Sequence, residues 1–234
     1  MRTLSRRAFA MCLWCAVQAL GLGTVLAQKP NDGQGYKPLL ETDSLLVRLR
    51  EWSTRIPNVK CDFCQEKRAA LLLNASVASG RFYYRNDASV RFTYEQPERL
   101  VLIVRPDSLL MEVDGKRTEI PLKGKGLKRG NPLMAEMQKL VRASLGGDLQ
   151  AVKGQYEVEY ASNGKLLRIV FIPKNQMVKQ MLNRVSIYME QERFRVEELV
   201  IQESNGDTLS YRFSNHVECL ELPEELFTLG HERK

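Results

Sequence analysis

Several residue sets in this chain could in principle do chemistry. Cys61 and Cys64, in CDFC, have the C-x-x-C spacing of thiol–disulfide exchange. His216 and His231 could act as bases or metal ligands, and the carboxylates of EEL at 197–199 and PEEL at 223–226 could form an acid/base pair. The basic, glycine-rich run KGKGLKRGN at 123–131 could cradle a phosphate. None of these sets completes its pattern. A redox dithiol needs its first cysteine at a helix N-terminus, whereas CDFC lies in an alternating stretch where positions three apart point to opposite faces. The two histidines lack partners at zinc or Ser-His-Asp spacing and read as surface residues. The carboxylates fall on solvent faces, and the Walker spacing before Lys-Ser/Thr is absent from the basic run, which reads as a solvated loop. The sequence therefore offers no catalytic residue, no metal site and no cofactor motif, and an enzyme is not expected.

The elements that would position a site begin after the N-terminal segment. Three arginines precede an apolar run from Ala8 to Ala27 that holds no acid and ends in V-L-A, the pattern of an export signal cleaved after Ala27. Gln18, Gly21, Gly23 and Thr24 dilute the run too much for a membrane anchor. S-R-R-A-F-A resembles the start of a twin-arginine signal, although adjacent arginines also occur in general secretory signals. Neither Cys12 nor Cys15 follows the small residues that lipid modification requires, so the product is expected to be soluble and periplasmic. Removing residues 1–27 takes away Arg2, Arg6 and Arg7 and lowers the net charge from +7 to +4 on 207 residues. That mild basicity does not demand nucleic acid. Cys61, Cys64 and Cys219 remain, an odd number that leaves at least one thiol unpaired.

Residues 28–41 read as a loose leader and 42–234 as one domain. Thr42 or Asp43 caps a helix with Leu45, Leu46, Leu49, Trp52 and Ile56 on one side, and Pro57 stops it. The period then changes to two. VKCDF places Val59, Cys61 and Phe63 on one face, and further alternating or apolar runs lie near 69–73, 81–85, 90–94 and 100–104. Turn pairs separate the runs, and Asp114-Gly115 between LLMEV and KRTEI is the sharpest hairpin signal. Asn131 starts a second helix that ends at Gly146-Gly147. YEVEY, LLRIVFIP, RVSIYME, RVEELVIQES and DTLSYRF follow as strands, with Asn163-Gly164 and Asn205-Gly206 as turns, and LPEELF makes one helical turn. The pattern predicts an α+β fold of about ten antiparallel strands in a strongly curled sheet, an incomplete barrel, with two or three helices over its concave face.

GRFYYRNDASVRFTYEQPERLVLIV, Gly80 to Val104, mixes aromatics with arginines. An RNA-binding strand would need a basic residue, then Gly, then aromatics two apart. Here Gly80 precedes Arg81 and the βαββαβ order is missing, so nucleic acid is not an expected partner. Alternation instead puts Phe82 and Tyr84, and Val90, Phe92 and Tyr94, on one face, with Arg81, Tyr83, Arg91 and Thr93 on the other.

The order of these pieces resembles the outer-membrane lipoprotein carrier family, LolA, over about residues 43–229. The Phe-x-Gln-x-Lys strand is matched by Phe63, Gln65 and Lys67, and the Gly-x-Phe strand by Gly80, Phe82 and Tyr84. VRFTYEQP, the Asp114-Gly115-Lys116 hairpin, FIP at 171–173, NGDT at 205–208 and LPEELF at 222–227 match later features in order, although the Asp-Gly-Lys hairpin comes later after the proline than is usual. The resemblance implies a periplasmic monomer that takes lipoproteins from an inner-membrane lipoprotein-releasing transporter to an outer-membrane acceptor, holding their acyl chains in a cavity. It places Phe82, Tyr84, Val90, Phe92, Tyr94, Leu100, Leu102 and Val104 inward as acyl-chain-binding residues. It also implies a basic residue for cargo transfer just after the Gly-x-Phe strand. In phase that position is Asn86, and Arg85 beside it is the candidate. A chain of roughly fourteen methylenes, at about 0.8 kcal/mol each, costs on the order of 11 kcal/mol to hold in water. An apolar wall that offsets this needs no cofactor. Two alternatives remain: a cavity protein that binds or senses lipidated proteins or glycolipids without shuttling, and a thiol oxidoreductase using Cys61 and Cys64.

Overall fold

The computed structural model describes residues 35–53, 58–70, 75–87, 89–121, 140, 152 and 154–229. The expected signal peptide, leader residues 28–34, Ile56, the run at 71–73, the basic loop at 123–131, His231 and all of the second helix except Leu140 lie outside the described residues.

Twelve strands follow one another: β1 (Lys37–Pro38), β2 (Asn58–Arg68), β3 (Ser76–Arg85), β4 (Ser89–Gln96), β5 (Leu100–Val104), β6 (Ser108–Val113), β7 (Lys116–Pro121), β8 (Tyr156–Ser162), β9 (Leu166–Pro173), β10 (Leu182–Glu190), β11 (Val196–Glu203) and β12 (Thr208–Cys219). All pair antiparallel in one sheet, in the order β1-β8-β9-β10-β11-β12-β2-β3-β4-β5-β6-β7. Among the described residues the edge strands β1 and β7 do not pair with each other, so the sheet they form is an open half-barrel. It consists of two meanders, joined where β12 pairs with β2 along nearly its whole length.

The class agrees with the sequence reading, but the count is twelve strands rather than about ten. One reason lies in the leader. Lys37 and Pro38 pair with Ser162 and Ala161, and Leu39 N–H donates to Tyr160 O at 2.9 Å, so this end of the supposedly loose segment is tied down. Pro38 can sit there because an edge strand tolerates a missing N–H.

Short-range signals set the local geometry. Asp114 and Gly115 both have positive φ, 49° and 71°, as the tight hairpin between β6 and β7 requires. The Asn163 side chain accepts from the amides of Lys165 and Leu166 at 3.0 and 2.8 Å, closing the turn between β8 and β9. Helix α1 (Ser44–Ser53) is capped by Asp43, whose Oδ1 accepts from Leu45 N–H at 2.9 Å. A second short helix, α2 (Gln176–Lys179), links β9 to β10.

The main core lies between α1 and one face of the sheet, the inner face. Leu45, Leu46 and Leu49 of α1 pack there with Leu140 and with the alternate residues Leu167, Ile169 and Phe171 of β9 and Val185, Ile187 and Met189 of β10. Trp52 at the end of α1 meets the ring of Phe194 at 5.7 Å. Phe194 adopts φ 52°, an unusual conformation for a bulky residue, and is 2% exposed. On the outer face a smaller cluster of Ile103, Leu110 and Phe227 binds the C-terminal segment, which makes a 3-10 turn over Glu224–Phe227.

Candidate functional site: the inner wall

All eight residues expected to line a cavity share the inner face. The register places Tyr84, Val90 and Val104 side by side, then Phe82, Phe92 and Leu102, then Gly80, Tyr94 and Leu100. The rows continue onto β6 as Leu109, Met111 and Val113.

Burial grades across this face. Phe82, Tyr84 and Val90 belong to the main core, and Phe92, Tyr94 and Val104 pack against it. Leu100, Leu102, Met111 and Val113 are only half-buried, and among the described residues they pack into neither cluster. The wall therefore runs from closed core at β9 and β10 to half-buried apolar surface at the Leu100, Leu102, Met111 and Val113 part of β5 and β6, while Leu109 in the first row stays buried.

The centre of the wall is aromatic. Phe63 stands edge-on to Tyr94 at 4.9 Å, Phe82 meets Phe92 at 4.9 Å and Phe213 at 5.1 Å, and Phe92 meets Tyr211 at 5.5 Å. Gly80 sits in the ladder between Phe63 and Tyr94. A Cβ there would lie 1.9 Å from the carbonyl oxygen of Thr93, so the close approach of β3 and β4 needs glycine.

One end of the aromatic cluster is polar. The Tyr94 hydroxyl donates to Gln65 Oε1 at 2.6 Å and lies 3.3 Å from the Tyr211 hydroxyl. Burial raises the Tyr94 phenol well above its ordinary value, and Tyr211 beside it adds to this. Burial lifts Tyr211 to about 12, against a smaller lowering by its hydrogen bond with Tyr94. Both phenols therefore stay protonated as donors.

Arg85 lies on the other side of the sheet. It pairs with Glu224 of the 3-10 turn and with Asp87 at 2.6 Å, and its guanidinium stacks over the Phe227 ring at 4.4 Å. Hydrogen bonding to Asp87 holds its pKa above the ordinary arginine value, against a lowering by burial, with Glu224 adding to the rise. The candidate cargo-transfer residue thus clamps the C-terminal segment to the outer face. Nearby, Arg91 Nη1 donates to Leu226 O at 2.7 Å. Asn86, at the in-phase position, is an exposed turn residue whose amide donates to Asn58 Oδ1 at 3.0 Å.

Cys61 and Cys64 are free thiols on opposite faces of β2, Cys61 buried and Cys64 half-buried. Burial, helped by the charge of Asp62, pushes the Cys61 thiol up to about 12, the reverse of an activated thiolate. His216 lies within β12, not after the last strand, because β12 continues through an irregularity at Ser214–Val217 to Cys219. Its Nε2 is 2.9 Å from Val196 O. No group of three or more metal-ligating side chains occurs among the described residues, and none of their helices is long and apolar enough to cross a membrane.

Sequence reading alone missed the parts of the wall contributed by Phe213 and Tyr211, and the role of Phe194 in seating α1. SYRF does alternate, but only the β12–β2 register, with Phe213 opposite Phe63 and Tyr211 opposite Gln65, shows what its rings face.

The sequence profile described as "Outer membrane lipoprotein carrier protein LolA" matches residues 55–230, and the chain belongs to that family. The fold is similar to a LolA superfamily protein from Nitrosomonas europaea, at 11% identity and a TM-score of 0.42, covering 80% of this chain and 96% of that one. It is similar to a putative outer membrane lipoprotein-sorting protein domain from Vibrio parahaemolyticus, at 8% identity and TM-score 0.43, covering 78% and 94%. A third similar structure is the Mycobacterium tuberculosis lipoprotein LppX, at 13% identity and TM-score 0.40, covering 76% and 98%. None of the curated proteins matches this chain.

Proposed function

We propose that this chain is a periplasmic carrier that binds the acyl chains of lipoproteins against its inner wall and moves them from the inner to the outer membrane. The observation that carries the reading is the half-buried apolar surface of Leu100, Leu102, Met111 and Val113, continuous with the aromatic cluster. A hydrocarbon chain laid there leaves water at about 25 cal/mol per Å² of apolar area, and an open sheet edge lets it leave again. Binding of this kind needs no catalytic group, metal or cofactor, and the protein acts as a monomer between an inner-membrane releasing transporter and an outer-membrane acceptor.

The test is binding of a fluorescent long-chain acyl probe to the protein without residues 1–27. Leu102→Glu, which puts a charge in the wall, should weaken binding at least tenfold with the fold retained. Unchanged binding would remove the wall from the account.

A second reading has an observation of its own. Arg85 faces the outer side and is held by Asp87, Glu224 and Phe227, so the residue that the family resemblance offered for transfer does not face the inner wall. That favours a binder or sensor of lipidated proteins or glycolipids that does not shuttle. The two readings part on whether the protein brings acylated lipoproteins off a membrane in soluble form.

A further inference from the structure

Where β4 ends, β5 begins and the hairpin between β6 and β7 turns, the sheet carries a cavity of about 720 Å³. Tyr94, Leu100 and Val101 supply its apolar surface. The charges that line it are of two kinds. Glu112 is held by Arg117 at 2.8 Å and Glu95 by Arg81 at 3.2 Å, so these two carboxylates are offset by cations outside the lining. Arg99 and Asp114 are not committed in this way, and neither side chain has an ion pair or a hydrogen bond among the described residues.

The backbone brings these two opposite charges to neighbouring positions. The ladder between β5 and β6 ends with Leu100 opposite Val113, and Arg99 and Asp114 each follow by one step. Elsewhere on these strands opposite charges close on each other, as Arg117 does on Glu112 and Arg105 on Glu119 at 3.7 Å. Asp114 is held in the tight turn at φ 49°, and a Cβ on Gly115 beside it would meet nothing within 4 Å, so the space there is open. An anion alone would enter this cavity beside Asp114, and a cation alone beside Arg99. Each single charge would meet a repulsive neighbour, whereas a ligand with both charges satisfies both side chains.

The placement narrows the class further. An α-amino acid carries its ammonium and carboxylate on one carbon, too close to be shared between side chains of two strands that do not touch each other. An ammonium joined to a phosphate through two carbons spans more, and the phosphate offers several oxygens to the planar guanidinium fork. We propose that this cavity binds an ammonium–phosphate zwitterion of the phosphoethanolamine type, with Arg99 taking the phosphate and Asp114 the ammonium group. The assignment goes beyond the acyl-chain reading and does not need it, since such a group can arrive free or as the head of a diacyl lipid.

The experiment is calorimetric titration of the protein without residues 1–27 with O-phosphoethanolamine. Inorganic phosphate, ethanolamine and glycine serve as controls, and dihexanoylphosphatidylethanolamine carries the same head on a soluble diacyl lipid. Wild type should bind phosphoethanolamine roughly three- to tenfold more tightly than any control. Arg99→Gln should lower that affinity to the level of ethanolamine, and Asp114→Asn to the level of phosphate. Asp114→Asn leaves an Asn-Gly pair, which suits the same hairpin turn, so its loss of binding is not a loss of fold. Tighter binding of the diacyl lipid than of the free zwitterion supports the site with a lipid head as its source, and equal binding supports it with a free solute. Wild type that does not bind phosphoethanolamine, a control that binds as tightly, or an affinity unchanged in either variant would each overturn the assignment. Acyl-probe binding is read separately, so failure here leaves the wall reading standing, and failure of the wall reading leaves this site standing.

Discussion

At the scale of single residues, the wall depends on positions where no substitute fits. Gly80→Ala would drive a Cβ to 1.9 Å from Thr93 O in the middle of the aromatic cluster. It should cost about 3 kcal/mol or more in denaturant unfolding. Arg85→Ala should be mild, about 1 kcal/mol, because its partners Glu224 and Asp87 are 66% and 43% exposed and screened by solvent. It should leave acyl-probe binding unchanged, since the residue is on the outer face; reduced binding would bring Arg85 back as a transfer group. Buried neutral groups set the response to base. Cys61 rises from 9.0 to about 12 and Tyr84 from 10.0 to about 12, both chiefly by burial. Folded values above unfolded ones mean that stability is fully present below about pH 9 and is lost as pH rises toward 12. Equilibrium unfolding across that window should show the fall, and a flat profile would contradict the burial of these groups. Alternation alone sorted Phe82, Tyr84, Val90, Phe92 and Tyr94 from Arg81 and Arg91, because a period of two is a local property. The orientation of Arg85 was not legible, because its partner Glu224 lies 139 positions further along the chain.

Among the elements, α1 is the one that covers the inner face in the described structure; its start was legible as Thr42 or Asp43, of which Asp43 is the cap, while its expected end at Ile56 and Pro57 lies outside the described residues. Its grip rests on Leu45, Leu46 and Leu49 and on the contact of Trp52 with Phe194. Leu46 is 3% exposed, so Leu46→Ala should cost about 2–4 kcal/mol in denaturant unfolding. Loss of less than 1 kcal/mol would mean that α1 is not seated as described. Phe194→Ala should loosen the same end of the helix and raise amide exchange there first. Nothing in the sequence flagged Phe194, whose positive φ turns its ring back toward α1. Strand β1 was hidden for a different reason. Two residues of a Gly- and Pro-rich segment carry no periodicity, and only their pairing with β8 makes them a strand. The Asp114-Gly115 and Asn163-Gly164 hairpins, by contrast, followed from turn chemistry that is complete within four residues.

For the whole molecule, the decisive contact is the long pairing of β12 with β2, which joins the two meanders and brings Phe213 and Tyr211 to Phe63 and Gln65. Antiparallel neighbours within each meander could be inferred from short turns, but a strand that returns across the chain to pair with β2 leaves no local trace. That is why the fold class was readable while half of the aromatic cluster was not. The same pairing makes one continuous wall, closed by α1 toward β9 and β10 and half-buried at Leu100, Leu102, Met111 and Val113 of β5 and β6. The carrier account turns on what that wall holds. The most direct measurement incubates the protein without residues 1–27 with inner-membrane vesicles that carry an acylated lipoprotein and its releasing transporter, then assays the soluble fraction. Wild type should bring the lipoprotein into solution as a complex and pass it to acceptor membranes, and Leu102→Glu should do neither. A lipoprotein that stays with the vesicles, while wild type still binds acyl probes, would contradict the carrier account and leave a lipid binder in its place.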